Sequence, residues 1–242
     1  MKNLLYILFI IAWNGIHAQY PFEVFPRIEY TKYEIMHGFK MEDSTFVGKA
    51  NILSKKKTET IRLELNEVFD IDSANLYIYK NNELIQRIVE PMGFYAMVVP
   101  DSLFVCDINN DGIIDIKITC YNPGCGLAAY YLRKIYLIGK PNGLFLKFSF
   151  MDFSYETERD FNGDKNFEII GVDHTVYLDH SYWVYDLYNI KDGQFINVSK
   201  ENGYPIMIQH LYRLNYSITD KISWAKMIEF SKDRPDWYDE RR

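Results

Sequence analysis

The sequence predicts a mainly β protein, an assembly of short antiparallel strands that gives way to a helical segment near the C-terminus. Three observations carry this. Twenty Tyr and sixteen Phe suit strands, where flat rings pack across a pleated surface. Short apolar or alternating runs recur along most of the chain, broken by turn sequences such as Asn81-Asn82, Pro141-Asn142-Gly143 and Asp192-Gly193. The apolar spacing becomes helical only after about residue 203.

The elements follow in order. Residues 1–18 carry Lys2, a ten-residue apolar run from Leu4 to Trp13, a break at Asn14-Gly15, and Ala18 before Gln19. That is the order of a secretory signal, and the run is too short for a membrane span, which needs about 20 residues. From Gln19 to about Met41 no element is clear. Strands are expected over 45–53, 59–65, 74–79, 84–89, 95–99, 103–106, 113–119, 130–139, 144–150, 167–172, 176–178, 182–188 and 195–198. Pro205 opens an expected helix through Leu214. Thr219 or Asp220 caps a second, with Ile222, Met227, Ile228 and Phe230 as its apolar stripe and Pro235 as its stop. The expected division is therefore a signal over 1–18 and one β-rich domain over 19–242, with a helical tail at about 203–234.

Composition excludes several classes. The formal charge is −6, or −7 once Lys2 leaves with the signal, which argues against nucleic-acid binding. No later run is apolar for long enough to span a membrane. Lys55-Lys56-Lys57 reads as a solvated turn between strands. Cys106, Cys120 and Cys125 lack a CxxC spacing and argue little for zinc; in an oxidising compartment two could pair, in a combination the sequence leaves open.

Two loops carry the chemistry. In the first, Asp107, Asn109, Asp111 and Asp115 place oxygen side chains at positions 1, 3, 5 and 9. Ile113 offers its carbonyl at position 7, and Gly112 permits a left-handed bend at position 6. In the second, Asp160, Asn162, Asp164 and Glu168 repeat the spacing with Asn166 at position 7. Position 6 is Lys165, whose Cβ should strain the bend. Calcium requires six to eight oxygens in such a flexible arrangement, so Ca2+ is the expected cofactor. An EF-hand does not fit. Position 12 is Ile118 in one loop and Gly171 in the other, where that motif needs Glu, and the flanking segments read as strands.

These patches, Phe104 to Ile118 and Asp160 to Ile170, resemble the calcium-loop segments of FG-GAP or VCBS-type repeats of integrin-like β-propellers. The resemblance implies that Asp107, Asn109, Asp111, Ile113 and Asp115 hold one ion. It implies that Asp160, Asn162, Asp164, Asn166 and Glu168 hold another. The first aspartates lie 53 positions apart, which suits repeated four-stranded units. With two loops and no third, the fold expected is propeller-like or an irregular β assembly.

Other constellations read as structure. His174, Asp179, His180 and Ser181 lack a nucleophile motif. Tyr182, Trp183, Tyr185 and Tyr188 alternate as a strand that packs Trp183, Tyr185 and Leu187 on one face, rather than as a sugar platform. Asn197-Val198-Ser199 and Asn215-Tyr216-Ser217 match glycosylation acceptors. The function expected is an exported, periplasmic, cell-surface or secreted calcium-binding module without catalysis, serving a protein or glycan partner. The alternative is a secreted hydrolase of a polysaccharide or ester with structural calcium.

Overall fold

The computed structural model describes residues 20–30, 34–42, 45–53, 59–68, 74–91, 103–121, 131–153, 156–210 and 222–241. The expected signal, the expected strand at 95–99, Lys55-Lys56-Lys57, Cys125 and Asn215-Tyr216-Ser217 lie outside them.

The described strands form three antiparallel sheets. In the first, β1 (Glu34–Glu42), β2 (Thr45–Leu53), β3 (Thr60–Val68), β4 (Ala74–Lys80) and β5 (Glu83–Glu90) lie side by side in chain order. Asn81 and Asn82 join the last two with φ of 50° and 69°. Asn tolerates that left-handed pair, and the resulting turn matches the strands' own twist. The second sheet runs β6 (Leu103–Cys106), β7 (Asp115–Tyr121), β8 (Leu132–Gly139) and β9 (Phe145–Asp152), with β14 (Asp239–Arg241) added outside β9. The third is built on β11 (His180–Lys191). It pairs β10 (Ile169–Tyr177) on one edge, and both β12 (Gln194–Asn197) and β13 (Ile206–Gln209) on the other.

The second sheet is the middle layer. Its Ile116, Ile118, Ile135 and Leu137 pack on Leu63, Leu65, Leu76 and Ile78 of the first sheet. Its opposite face places Tyr136, Ile138, Phe148 and Phe150 against Ile169, Tyr188, Ile190 and Phe195 of the third. Every residue of β8 and β9 is consequently buried. Those strands nonetheless carry Arg133, Lys134 and Lys147, and each cation meets a carboxylate. Glu90 of the first sheet accepts from Arg133 at 2.5 Å and from Lys147 at 2.9 Å; Lys134 donates to Asp152 at 2.5 Å. Lys117 of β7 meets Glu158 at 2.7 Å, and the same carboxylate accepts from the Tyr30 and Tyr136 hydroxyls. Burial alone would raise the Glu158 carboxyl; the Lys117 ammonium and these hydrogen bonds reverse that and hold it at about 2.

An exposed edge invites pairing with another chain, and the outer edge of β9 is closed by three devices. The Gln86 side-chain amide donates to the Phe145 carbonyl and accepts from its N–H, both at 2.8 Å. β14 covers Lys147 to Ser149, and the Asp236 carbonyl accepts from the Met151 N–H at 2.8 Å.

The C-terminal part differs from expectation. Pro205 leads into strand β13 instead of a helix. Ile206 and Ile208 pack on Trp183 and Tyr185 while Met207 packs on Tyr182 and Val184, so consecutive apolar residues serve both faces of a sheet. Thr219 and Asp220 lie outside the described residues. The helix that follows is a single turn, α1 (Trp224–Met227), capped by the Ser223 hydroxyl and extended by a 3-10 turn over Ile228–Phe230. Among the described residues of the expected helical tail at 203–234, helix is confined to 224–230, while 206–209 is strand. The runs at 167–172 and 176–178 merge into one strand, β10. The expected aromatic face holds: Trp183, Tyr185 and Leu187 are buried together under Tyr20 and Phe22. No helix among the described residues is long and apolar enough to cross a membrane.

Candidate metal loops

The first loop connects β6 to β7 at one end of the middle sheet. The second precedes β10, entered through Arg159, which bridges to Glu168 by two backbone hydrogen bonds of 3.0 and 2.8 Å. The first loop therefore joins neighbouring antiparallel strands of one sheet, and the second is closed by an isolated antiparallel bridge just ahead of β10.

The two loops repeat one hydrogen-bond pattern. The carboxylate at position 1 gathers backbone amides: Asp107 accepts from the Asp111 and Gly112 N–H groups at 3.0 and 2.9 Å, and Asp160 from those of Gly163 and Lys165 at 2.7 and 3.2 Å. The amide at position 3 donates to the carboxylate at position 5, Asn109 to Asp111 at 2.9 Å and Asn162 to Asp164 at 3.1 Å. The other oxygen at position 5 accepts from the N–H at position 7, at 2.8 Å in both loops, from Ile113 and from Asn166.

Position 9 is turned inward and ties each loop closed. Asp115 accepts from the Ile108 N–H at 2.8 Å and from the Gly139 N–H of β8 at 2.9 Å. Glu168 accepts from the Phe161 N–H at 2.9 Å and from the Asn189 amide at 3.0 Å. Burial pushes the Asp115 carboxyl up to about 7, against the pull of its two backbone donors and with help from Asp111 and Asp107. Burial also raises the Glu168 carboxyl.

The strain expected at Lys165 is present, since its φ is 66°. Its counterpart Gly112 has φ of 80°, but position 4 is left-handed too, with Asn110 at 53° and Gly163 at 81°. Both loops need two left-handed residues, and each supplies one glycine, at position 6 in the first and position 4 in the second. The second loop therefore keeps its glycine at the other bend.

Gly139 and Asn189 matter to the loops and carry no local signal, because they reach them from 24 and 21 residues away. A Cβ on Gly139 would lie 2.5 Å from the Ile114 carbonyl oxygen, so only glycine lets β8 approach the first loop. The loops also touch each other: the Phe167 N–H donates to the Ile108 carbonyl at 2.8 Å.

Among the described residues, no group of three or more His, Cys, Asp and Glu side chains is gathered as a metal centre. The oxygens that could hold a hard cation come instead from mixed donors: one exposed carboxylate per loop, Asp111 and Asp164, the half-buried Asp107 or buried Asp160, one amide and backbone carbonyls. One observation fits a cation. The Asn166 amide donates to Asn189 at 2.9 Å, which leaves its own oxygen buried with no hydrogen-bond partner. An acceptor without a donor is costly when buried, and a cation would satisfy it. Asn109, Asp111 and Asn166 also line one cleft of about 520 Å³ between the second and third sheets.

The other candidates do not form a site. Asp179 and His180 are exposed at the β10–β11 turn, and Ser181 pairs with Val176 in the ladder. His174 lies edge-on to Trp183, 5.5 Å between ring centres. The Asn197 amide donates to the Lys232 carbonyl at 2.8 Å, so this glycosylation acceptor is engaged in the fold. Comparison with protein-family models, with characterised proteins and with solved structures finds no match for this chain.

Proposed function

We propose that the chain is an exported, non-enzymatic calcium-binding module whose loops, ordered by the ion, present surface to a protein or glycan partner. The observation that supports this reading is the repetition, at positions 3, 5 and 7, of one hydrogen-bond pattern in two loops whose carboxylates and amides alternate as calcium ligands do. Asp107, Asn109, Asp111 and Ile113 would hold the first ion, and Asp160, Asn162, Asp164 and Asn166 the second. Asp115 and Glu168 would brace the loops and add a remaining lone pair. The ion would supply neutralisation of clustered carboxylates. The residues supply the rest: two left-handed bends, amide donors that orient each carboxylate, and a strut to the neighbouring strand.

Calcium is expected to raise the melting temperature, by the linkage of a ligand that binds only the folded chain. Asp107→Ala should remove most of that rise, as read by scanning calorimetry with and without calcium. No shift at millimolar ion would sink the proposal, and titration calorimetry reads whether one loop or both bind.

A further inference from the structure

The two loops meet at one backbone bond, in which the Phe167 N–H donates to the Ile108 carbonyl at 2.8 Å. Ile108 stands between the candidate ligands Asp107 and Asn109, and Phe167 stands between Asn166 and Glu168. The bond thus joins the two stretches of backbone that carry these four positions. Each end is also held by its own loop. The Ile108 N–H donates to Asp115 at 2.8 Å. Around Phe167, Asn189 accepts from the Asn166 amide at 2.9 Å and donates to Glu168 at 3.0 Å. Ile108 and Phe167 pack into one core cluster with Ile169 and Tyr188.

An ion in either loop therefore fixes backbone that the other loop also uses. Ordering backbone opposes the formation of such a site, and a second ion finds that ordering already done. Charge acts the other way. The formal count is −3 in the first loop, from Asp107, Asp111 and Asp115. It is −2 in the second, where Lys165 offsets one of Asp160, Asp164 and Glu168. One divalent ion leaves the pair at −3, so the second ion still enters a negative site, though a weaker one. Salt screens that repulsion between exposed groups and leaves a shared hydrogen bond in place.

We infer that the two loops bind calcium cooperatively, the first ion setting the bond between Ile108 and Phe167 and so raising the affinity of the other loop. The inference rests on the calcium reading of both loops. By linkage the gain is equal in either order of loading. The module then passes from empty to doubly loaded over a narrower range of calcium than two independent sites allow.

Titration of the full chain with calcium, in competition with a chromophoric chelator, tests this. It is run in potassium chloride at about 0.1 M and about 1 M, where the screening length falls from about 10 Å to about 3 Å. Asp111→Ala and Asp164→Ala each disable one loop at an exposed side chain and leave the other to be measured alone. At the higher salt, the two binding constants of the unaltered chain multiply to about ten times the product of these single-loop constants, within the ordinary range of coupling. Replacing Phe167 by its α-hydroxy analogue turns the amide into an ester and removes the N–H; two ions still bind, and the excess disappears. No excess at the higher salt, or a single bound ion, overturns the inference and leaves the calcium reading standing. If no ion binds, the loop reading fails and the cooperativity with it. Should the ester chain misfold, the comparison of the unaltered chain with the two alanine variants still decides.

Discussion

The clearest test at the scale of single residues concerns the two left-handed bends in each loop. Lys165 pays a conformational cost that Gly112 does not, so Lys165→Gly should stabilise the protein by about 1 kcal/mol, measured by urea unfolding. Gly112→Ala should cost about the same for the opposite reason, since a Cβ there meets nothing within 4 Å and only the backbone objects. The turn geometry of the two loops was legible in the sequence because Asp, Asn and Gly at fixed offsets act through their own backbone. The second left-handed position was legible in principle too, as Asn110 and Gly163 both tolerate it. Gly163 takes the bend at position 4 where the first loop has Asn110, so each loop makes one of its two bends with glycine. Glu158 offers a pH test. Its carboxyl sits near 2 in the folded chain against 4.5 when unperturbed, so its contribution is complete above about pH 4.5 and is lost as pH falls towards 2. Glu158→Gln should cost about 3 kcal/mol at pH 6. That deficit should shrink towards zero by pH 2, followed by chemical denaturation across the range.

Most strands of the three sheets were legible as elements, since alternation and turn chemistry act over a few residues. Asn81-Asn82 and Asp192-Gly193 fix two hairpins outright. The failures share a cause. Ile206-Met207-Ile208 is a strand because β11 offers it an edge, and nothing near Pro205 announces that partner. The same holds for the buried cations. Arg133 and Lys147 look like solvent-facing residues of a half-exposed strand, yet Glu90 meets both from another sheet. Removing that carboxylate takes from the buried Arg133 the carboxylate it meets and leaves Lys147 with Asp239 alone. Glu90→Gln should therefore destabilise by about 3–5 kcal/mol, read as a lowered denaturation midpoint with an unchanged slope.

Across the molecule, the order of sheets rests on groups that cross between layers, and these leave no trace in local sequence. Glu90 and Gln86 join the first sheet to the second, while the C-terminal segment crosses the end of the middle sheet and closes β9. Truncation after Asp236 should remove β14, leave Lys147 with one carboxylate partner fewer, and expose the edge beside Lys147 to Ser149. Self-association that rises with protein concentration, measured by light scattering, is the expected result; a monodisperse truncated chain would contradict it. The hydrogen bond from the Phe167 N–H to the Ile108 carbonyl has a consequence of another kind. Surface loops usually absorb inserted or deleted residues, because their ends are fixed and their middles are free. Here position 2 of one loop is tied to position 8 of the other, and position 9 of each is tied back to its own start. A single extra residue between positions 2 and 9 of either loop would lengthen a span that its own position-9 carboxylate closes, so these two surface stretches have the length intolerance ordinarily reserved for a core.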